Sequence, residues 1–223
     1  MKDFNFLPFL SLQRYKKWRE VGTRLNHKIM EQVPREAVLR AAGDLRLRKK
    51  NNRVVFDAES DTHFLMDRVI HDISIDGRRV IELYRDQNGG TLTADELKLL
   101  DALAGARYSL SIVQGVERGR GLRLRDVFSN QEVFLTDMNL SRTAVEGHLL
   151  AGRMVSLDGV TFTTGCACPF SAEYLPQLKN NFLRLFENKR HQMTWDEMMR
   201  QYNTYFFISM KQSGIKIDFG DVV

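Results

Sequence analysis

A chain of 223 residues can bury a hydrophobic core without covalent staples, and 43% hydrophobic with 27% charged residues is the composition of an ordered globular protein, which sets aside disorder. The 33 Lys and Arg against 28 Asp and Glu leave a formal charge of +5, which permits a polyanionic partner without demanding one. The two cysteines, Cys166 and Cys168, are too close to staple a fold, MKDFNFLPFL is too short and interrupted for a secretory signal, and no run nears the ~20 apolar residues of a bilayer span, so a soluble cytoplasmic protein is expected.

From Leu12, apolar residues recur at Tyr15, Trp18, Val21, Leu25, Ile29 and Val33, in steps of three and then four, the spacing of one helical face. Arg14, Lys16, Lys17, Arg19, Arg24 and Lys28 lie off that stripe, which predicts a helix with a core face and a basic face. Pro34 suits the first position of a second helix, PREAVLRAAG, and Gly43 can close it in a left-handed cap. Leu45 to Arg53 then reads as a basic connector. Asp61 is expected to cap a helix through about Ile75, with Phe64, Leu65, Val69 and Ile73 on one side, before a turn at Asp76-Gly77. A short helix from Val80 stops at Asn88, Gly89 and Gly90. Thr93 and Glu96 form a capping box, so a helix follows from Ala94 to about Ala104.

Period-two patterning takes over next. Leu110 and Ile112 alternate with serines, Leu122 and Leu124 with Arg123 and Arg125, and Val133 and Leu135 suggest a third strand. A fourth strand, Leu149 to Leu157, meets a fifth, Val160 to Thr164, across Asp158-Gly159, the dipeptide of a primed hairpin turn. Five short strands in residues 108–165 predict a small antiparallel barrel, Greek-key or SH3-like, or a half-barrel packed on helices.

Beyond it, Ser171 is expected to cap a helix bearing Leu175, Leu178, Phe182, Leu185 and Phe186. A second capping box, Thr194 to Glu197, starts a last helix with Trp195, Met198, Met199, Tyr202 and Phe206 on its face, ended by Ser213-Gly214. Ile215, Ile217 and Phe219 read as a closing strand. The fold class is therefore α+β: a helical region (1–107), a five-stranded barrel (108–165), and C-terminal helices with a closing strand (166–223), packed together with no linker between them.

GRGLRLRDVFSNQEVFL and NLSRTAVEGHLLAGRMVSLDGVTFTTG, with the helical lead-in FLMDRVIHDISIDGRRVIELYRDQNGG before them, resemble a segment of an uncharacterised bacterial protein family, over roughly Asp61 to Gly165. Some members carry a C-terminal SEC-C zinc motif. This chain departs from them, because Cys166-Ala167-Cys168 lacks the further Cys and His or Cys that the motif needs. The resemblance implies no activity and no catalytic residues.

Four arginines carry the most pointed functional reading. Arg118, Arg120, Arg123 and Arg125 are set around Gly119 and Gly121, where glycine allows close approach and guanidinium groups bind phosphate in a fork. The opposing reading is a hairpin loop with a solvated face, and the only aromatic neighbours are Phe128 and Phe134. Arg46, Arg48, Lys49, Lys50 and Arg53 with the first helix form a second basic surface, and Phe4, Phe6, Leu7 and Phe9 could dock on the core or lie on an anionic membrane. Cys166 and Cys168 are two zinc ligands at most, with His148 or His191 as distant seconds, so no metal or other cofactor is expected. His63 and His71 lie two helical turns apart around Asp67 and resemble a site only superficially. A non-enzymatic binding or adaptor protein with a protein, RNA or DNA partner is the expectation; an enzyme with an unrecognised site is the alternative.

Overall fold

The computed structural model describes residues 7–51 and 53–214. The first helix, α1 (Leu7–Gln32), buries Tyr15, Trp18, Val21, Leu25 and Ile29, the stripe its spacing predicts. Helix α2 (Arg35–Asp44) follows Pro34, but Gly43 does not end it. Arg46 takes the left-handed conformation instead (φ 54), with the Leu47 N–H bonded to Ala42 O at 2.9 Å and the Arg46 N–H to Gly43 O at 3.0 Å. That pair of bonds is a Schellman closure, and it falls where Leu45 and Leu47 can both be buried, which overrides the local preference for glycine.

The basic connector is in fact a two-stranded ribbon, β1 (Arg48–Lys50) against β2 (Arg53–Val55), turning at Asn51 with φ 50. Helix α3 (Glu59–Asp72) starts earlier than expected, so Asp61 lies inside its first turn. Its carboxylate accepts from the Asp57 N–H and from Lys211 Nζ, a residue 150 positions further on. A tight hairpin, β3 (Ser74–Ile75) with β4 (Arg78–Arg79), turns at Asp76-Gly77 and leads into α4 (Val80–Asn88). The capping box places α5 (Ala94–Ala104) where its spacing predicts, with the Glu96 N–H bonded to Thr93 Oγ1 and the Thr93 N–H to Glu96 Oε2.

Five strands form a closed barrel: β5 (Arg107–Glu117), β6 (Gly121–Asp126), β7 (Glu132–Thr136), β8 (Leu149–Leu157) and β9 (Val160–Phe170), in the order β5-β6-β7-β9-β8. The barrel is not wholly antiparallel. β7 and β9 run parallel through Leu135 and Thr161, because an odd number of strands closed into a ring cannot alternate direction all the way round. A short helix, α6 (Leu140–Thr143), lies on the crossing from β7 to β8, and Asp158-Gly159 makes the β8–β9 hairpin. β9 also runs on past Thr164 to Phe170, which puts both cysteines inside a strand.

Two cores result. Val113, Leu122, Leu124, Leu135, Leu150 and Ala167 fill the barrel. On the other face of β8 and β9, Val155, Phe162, Cys168 and Phe170 join the larger core shared with the helices. After a single 3₁₀ turn (Ala172–Tyr174), α7 (Leu175–Lys189) packs through Leu178 and Phe182; Ser171 makes no cap bond to it. The last helix is two: α8 (Trp195–Tyr202) and α9 (Thr204–Gln212) part at Asn203, a buried residue whose side chain donates to Asp72. Residues 215–219, read as a closing strand, lie outside the described residues, as do Phe4, Phe6 and the side chains of Leu7 and Phe9.

Candidate functional site

The structure divides the four barrel arginines. Arg118 sits in the β5–β6 turn beside Gly119 (φ 75) and swings to α6, where its Nη1 donates to Ser141 O at 2.6 Å while the Gly119 N–H meets Ser141 Oγ at 3.0 Å. Arg120 pairs with Glu117 at 2.6 Å and lies 5.9 Å over the Phe134 ring. Arg123 is exposed and faces Phe134 across the sheet; Arg125 faces Glu132, with its Nε buried and without a protein partner. Arg123 and Arg125 thus share the outer face of β6, Arg120 stands in the turn before it over the Phe134 ring, and carboxylates lie near Arg120 and Arg125. Gly121 opens no room for a ligand: a Cβ there would stand 2.0 Å from Leu135 O, so the glycine serves strand approach in the barrel.

The ribbon is the cleaner cationic feature. Arg46, Arg48, Lys49, Lys50 and Arg53 are all exposed, within eight residues of chain, and among the described residues only Arg48 has an ion-pair partner, Asp57. Phe56, one residue past β2, is 42% exposed.

The thiols and histidines assemble no metal set; among the described residues no group of three or more His, Cys, Asp or Glu side chains could hold an ion. Cys166 and Cys168 are buried in β9, burial pushes both thiols well up from their ordinary range, and Cys168 shares a hydrogen bond with Tyr108. His148 lies at the barrel mouth and His191 is exposed after α7, so neither joins them. His71 and His63 are also separated. His71 is buried, 3.7 Å from Asp67, and burial holds it neutral by lowering its pKa well below the usual value; His63 lines a small cavity with His27.

Sequence patterning alone does not reveal a buried ionic network that the fold assembles. Arg153 of β8 is 1% exposed and reaches Asp67 (Nε, 3.3 Å) and Asp72 (Nη2, 2.6 Å) of α3. Thr164 Oγ1 donates to Asp67 at 2.6 Å, and Asn203 Nδ2 donates to Asp72 at 2.8 Å. Arg68 extends the network to Asp44 and the Arg200 carbonyl. One local signal points to it: a single arginine in the otherwise apolar LLAGRMVSL must either face water or bring its own counter-charge.

At the mouth of the barrel lies a cavity of about 300 Å³. Val113, Leu122, Leu150 and Ala167 form its floor, and Tyr15, Arg19 and Asp137 its polar side. Asp137 accepts from the Asn139 and Leu140 N–H groups, at 3.1 and 2.9 Å, and caps α6; burial raises its pKa against those bonds. Burial, then the field of Asp137, pushes the Tyr15 hydroxyl up to about 12, so it is a neutral hydrogen-bonding group at any ordinary pH.

By its architecture this is an α+β protein: a small closed mixed barrel wrapped in helices, carrying an exposed basic ribbon and an apolar-floored cavity with a polar edge. The chain belongs to a family of unknown function, DUF7986, which it matches over residues 10–220. Comparison with curated proteins gives no match, and neither does comparison with solved structures.

Proposed function

We propose that this is a non-enzymatic cytoplasmic binding protein that holds the backbone of a single-stranded nucleic acid on the β1–β2 ribbon. The carrying observation is the ribbon itself: five exposed cations from Arg46 to Arg53, with one of them in an ion pair among the described residues. A backbone that bears a charge at every step is matched by cations spaced along an extended strand, and Phe56 supplies an exposed ring on which a base can stack. The barrel face of Arg120, Arg123 and Arg125 with Phe134 is a second contact of the same kind, weakened by Glu117 and Glu132. The free thiols support a reducing compartment.

Fluorescence anisotropy with a labelled single-stranded oligonucleotide, titrated at several salt concentrations, tests the reading. Four phosphate contacts give a log–log salt slope of about −3. Replacing Arg48, Lys49, Lys50 and Arg53 with alanine is expected to weaken binding at least tenfold, and the same change at Arg118, Arg120, Arg123 and Arg125 to weaken it less. No binding at low salt, or unchanged binding by the ribbon variant, sinks the proposal.

A further inference from the structure

The barrel mouth brings together an apolar floor and a cation, Arg19, that among the described residues makes no ion pair within 4.0 Å, and the ribbon has no part in it. The cavity of about 300 Å³ has room for on the order of ten non-hydrogen atoms, at roughly 30 Å³ for each water-sized group. Its floor is the inside of the barrel, so it excludes polar atoms. Its edge is Arg19, which α1 directs inward beside the buried Tyr15 and Trp18.

Arg19 is underused by the protein. Its one hydrogen bond from the guanidinium is long, Nη1 to Thr163 O at 3.4 Å, and among the described residues no carboxylate lies within 4.0 Å of it. Gly165 (φ 117) leaves the backbone bare beneath it, where a Cβ would stand 3.5 Å from Nη1. On its far side Arg19 lines a second cavity, of about 130 Å³, with Trp18, His27 and His63 and with no carboxylate in its wall. Trp18 Nε1 is buried without a protein acceptor. Among the residues that line the mouth Asp137 is the one carboxylate; the Leu140 and Asn139 N–H groups bond to it and the field of Arg19 reaches it, but Arg19 and Asp137 form no ion pair within 4.0 Å. At the rim, Val145 is 49% exposed, an apolar side chain at an entrance.

We infer that the barrel mouth binds a small amphiphilic carboxylate, with its apolar body inside the barrel and its carboxylate on the Arg19 guanidinium. A planar fork matches a carboxylate in two bonds, and a half-buried site strengthens both. The lining of the mouth holds Tyr15, Thr143 and His148 as polar groups for the head, and Val113, Leu122, Leu150 and Ala167 as apolar surface for the tail.

The test uses the full chain and three probes of one length: octanoate, octanol and octylamine. Isothermal titration gives their affinities, and amide shifts in ¹⁵N-labelled protein locate them. Octanoate is expected to bind at least tenfold more tightly than octanol, octylamine not to bind, and the shifts to fall on Ala144, Leu150 and Ala167. Arg19→Met is expected to bring the octanoate-to-octanol ratio to about one while octanol still binds. Equal affinity for octanoate and octanol in the unaltered protein, octanoate shifts elsewhere, or no octanoate binding up to its solubility overturns the inference. The three probes decide the matter on the unaltered protein, so the inference stays testable even if Arg19→Met fails to fold.

Discussion

Arg153 donates to Asp72 over 2.6 Å and to Asp67 over 3.3 Å, with all three side chains at 8% exposure or less, so one guanidinium on the barrel is the counter-charge for two carboxylates on α3. Arg153→Met strands both acids in a dry interface. The loss is expected to be about 3 kcal/mol, the low end for a broken buried pair, because Thr164, Asn203 and Arg68 still reach the carboxylates. Urea unfolding measures it.

Glu96 gives the fold a dependence on pH. Lys28, then the Thr93 cap, lowers its pKa from 4.5 to about 2. A depressed carboxyl contributes stability that is complete above 4.5 and is lost as pH falls towards about 2. Glu96→Gln should be about 1 kcal/mol less stable at neutral pH and should flatten the unfolding midpoint across that acid window. An unchanged acid limb would remove Glu96 as its source.

The two glycines beside the barrel arginines separate structure from ligand approach. Gly119→Ala meets open space and costs only the left-handed backbone, about 1 kcal/mol. Gly121→Ala drives a Cβ against Leu135 O and is expected to cost about 3 kcal/mol, read from thermal midpoints. If instead Gly121→Ala keeps full stability and loses oligonucleotide binding, the glycine serves the ligand.

Thiol chemistry should be silent in the native protein. Cys166 and Cys168 are 3% and 0% exposed, and burial disfavours the reactive thiolate of each. Ellman's reagent is expected to release no colour from folded protein and two equivalents after denaturation in guanidinium. Rapid native labelling would show a β9 that opens readily.

Local rules placed much of this fold. Thr93 and Glu96, and Thr194 and Glu197, announce helix starts because a capping box is closed by residues three apart. Asp158-Gly159 makes its turn because both residues tolerate positive φ, 51 and 75. Where such rules failed, a distant partner had decided. Asn203 parts α8 from α9 while it serves Asp72, more than a hundred residues earlier, and Arg46 rather than Gly43 closes α2 so that leucines on both sides of it are buried. The candidate sites divide the same way. The ribbon's cations were legible as charge but not as an extended strand pair, and the barrel arginines were legible as a cluster but not as partners of Ser141, Glu117 and Glu132.

By itself, then, the sequence determined most of the elements but not the β1–β2 ribbon, the break at Asn203 or the length of β9: periodicity, capping and turn chemistry act over a few residues and are written in neighbouring side chains. Tertiary structure alone decided how the elements close and what they enclose. Five strands in a ring force one parallel pair, β7 with β9, and bring Tyr15 and Arg19 of the first helix to the rim of a barrel that begins some ninety residues later. No local pattern encodes that meeting, because its energy comes from burying surfaces that touch only when the whole chain has folded.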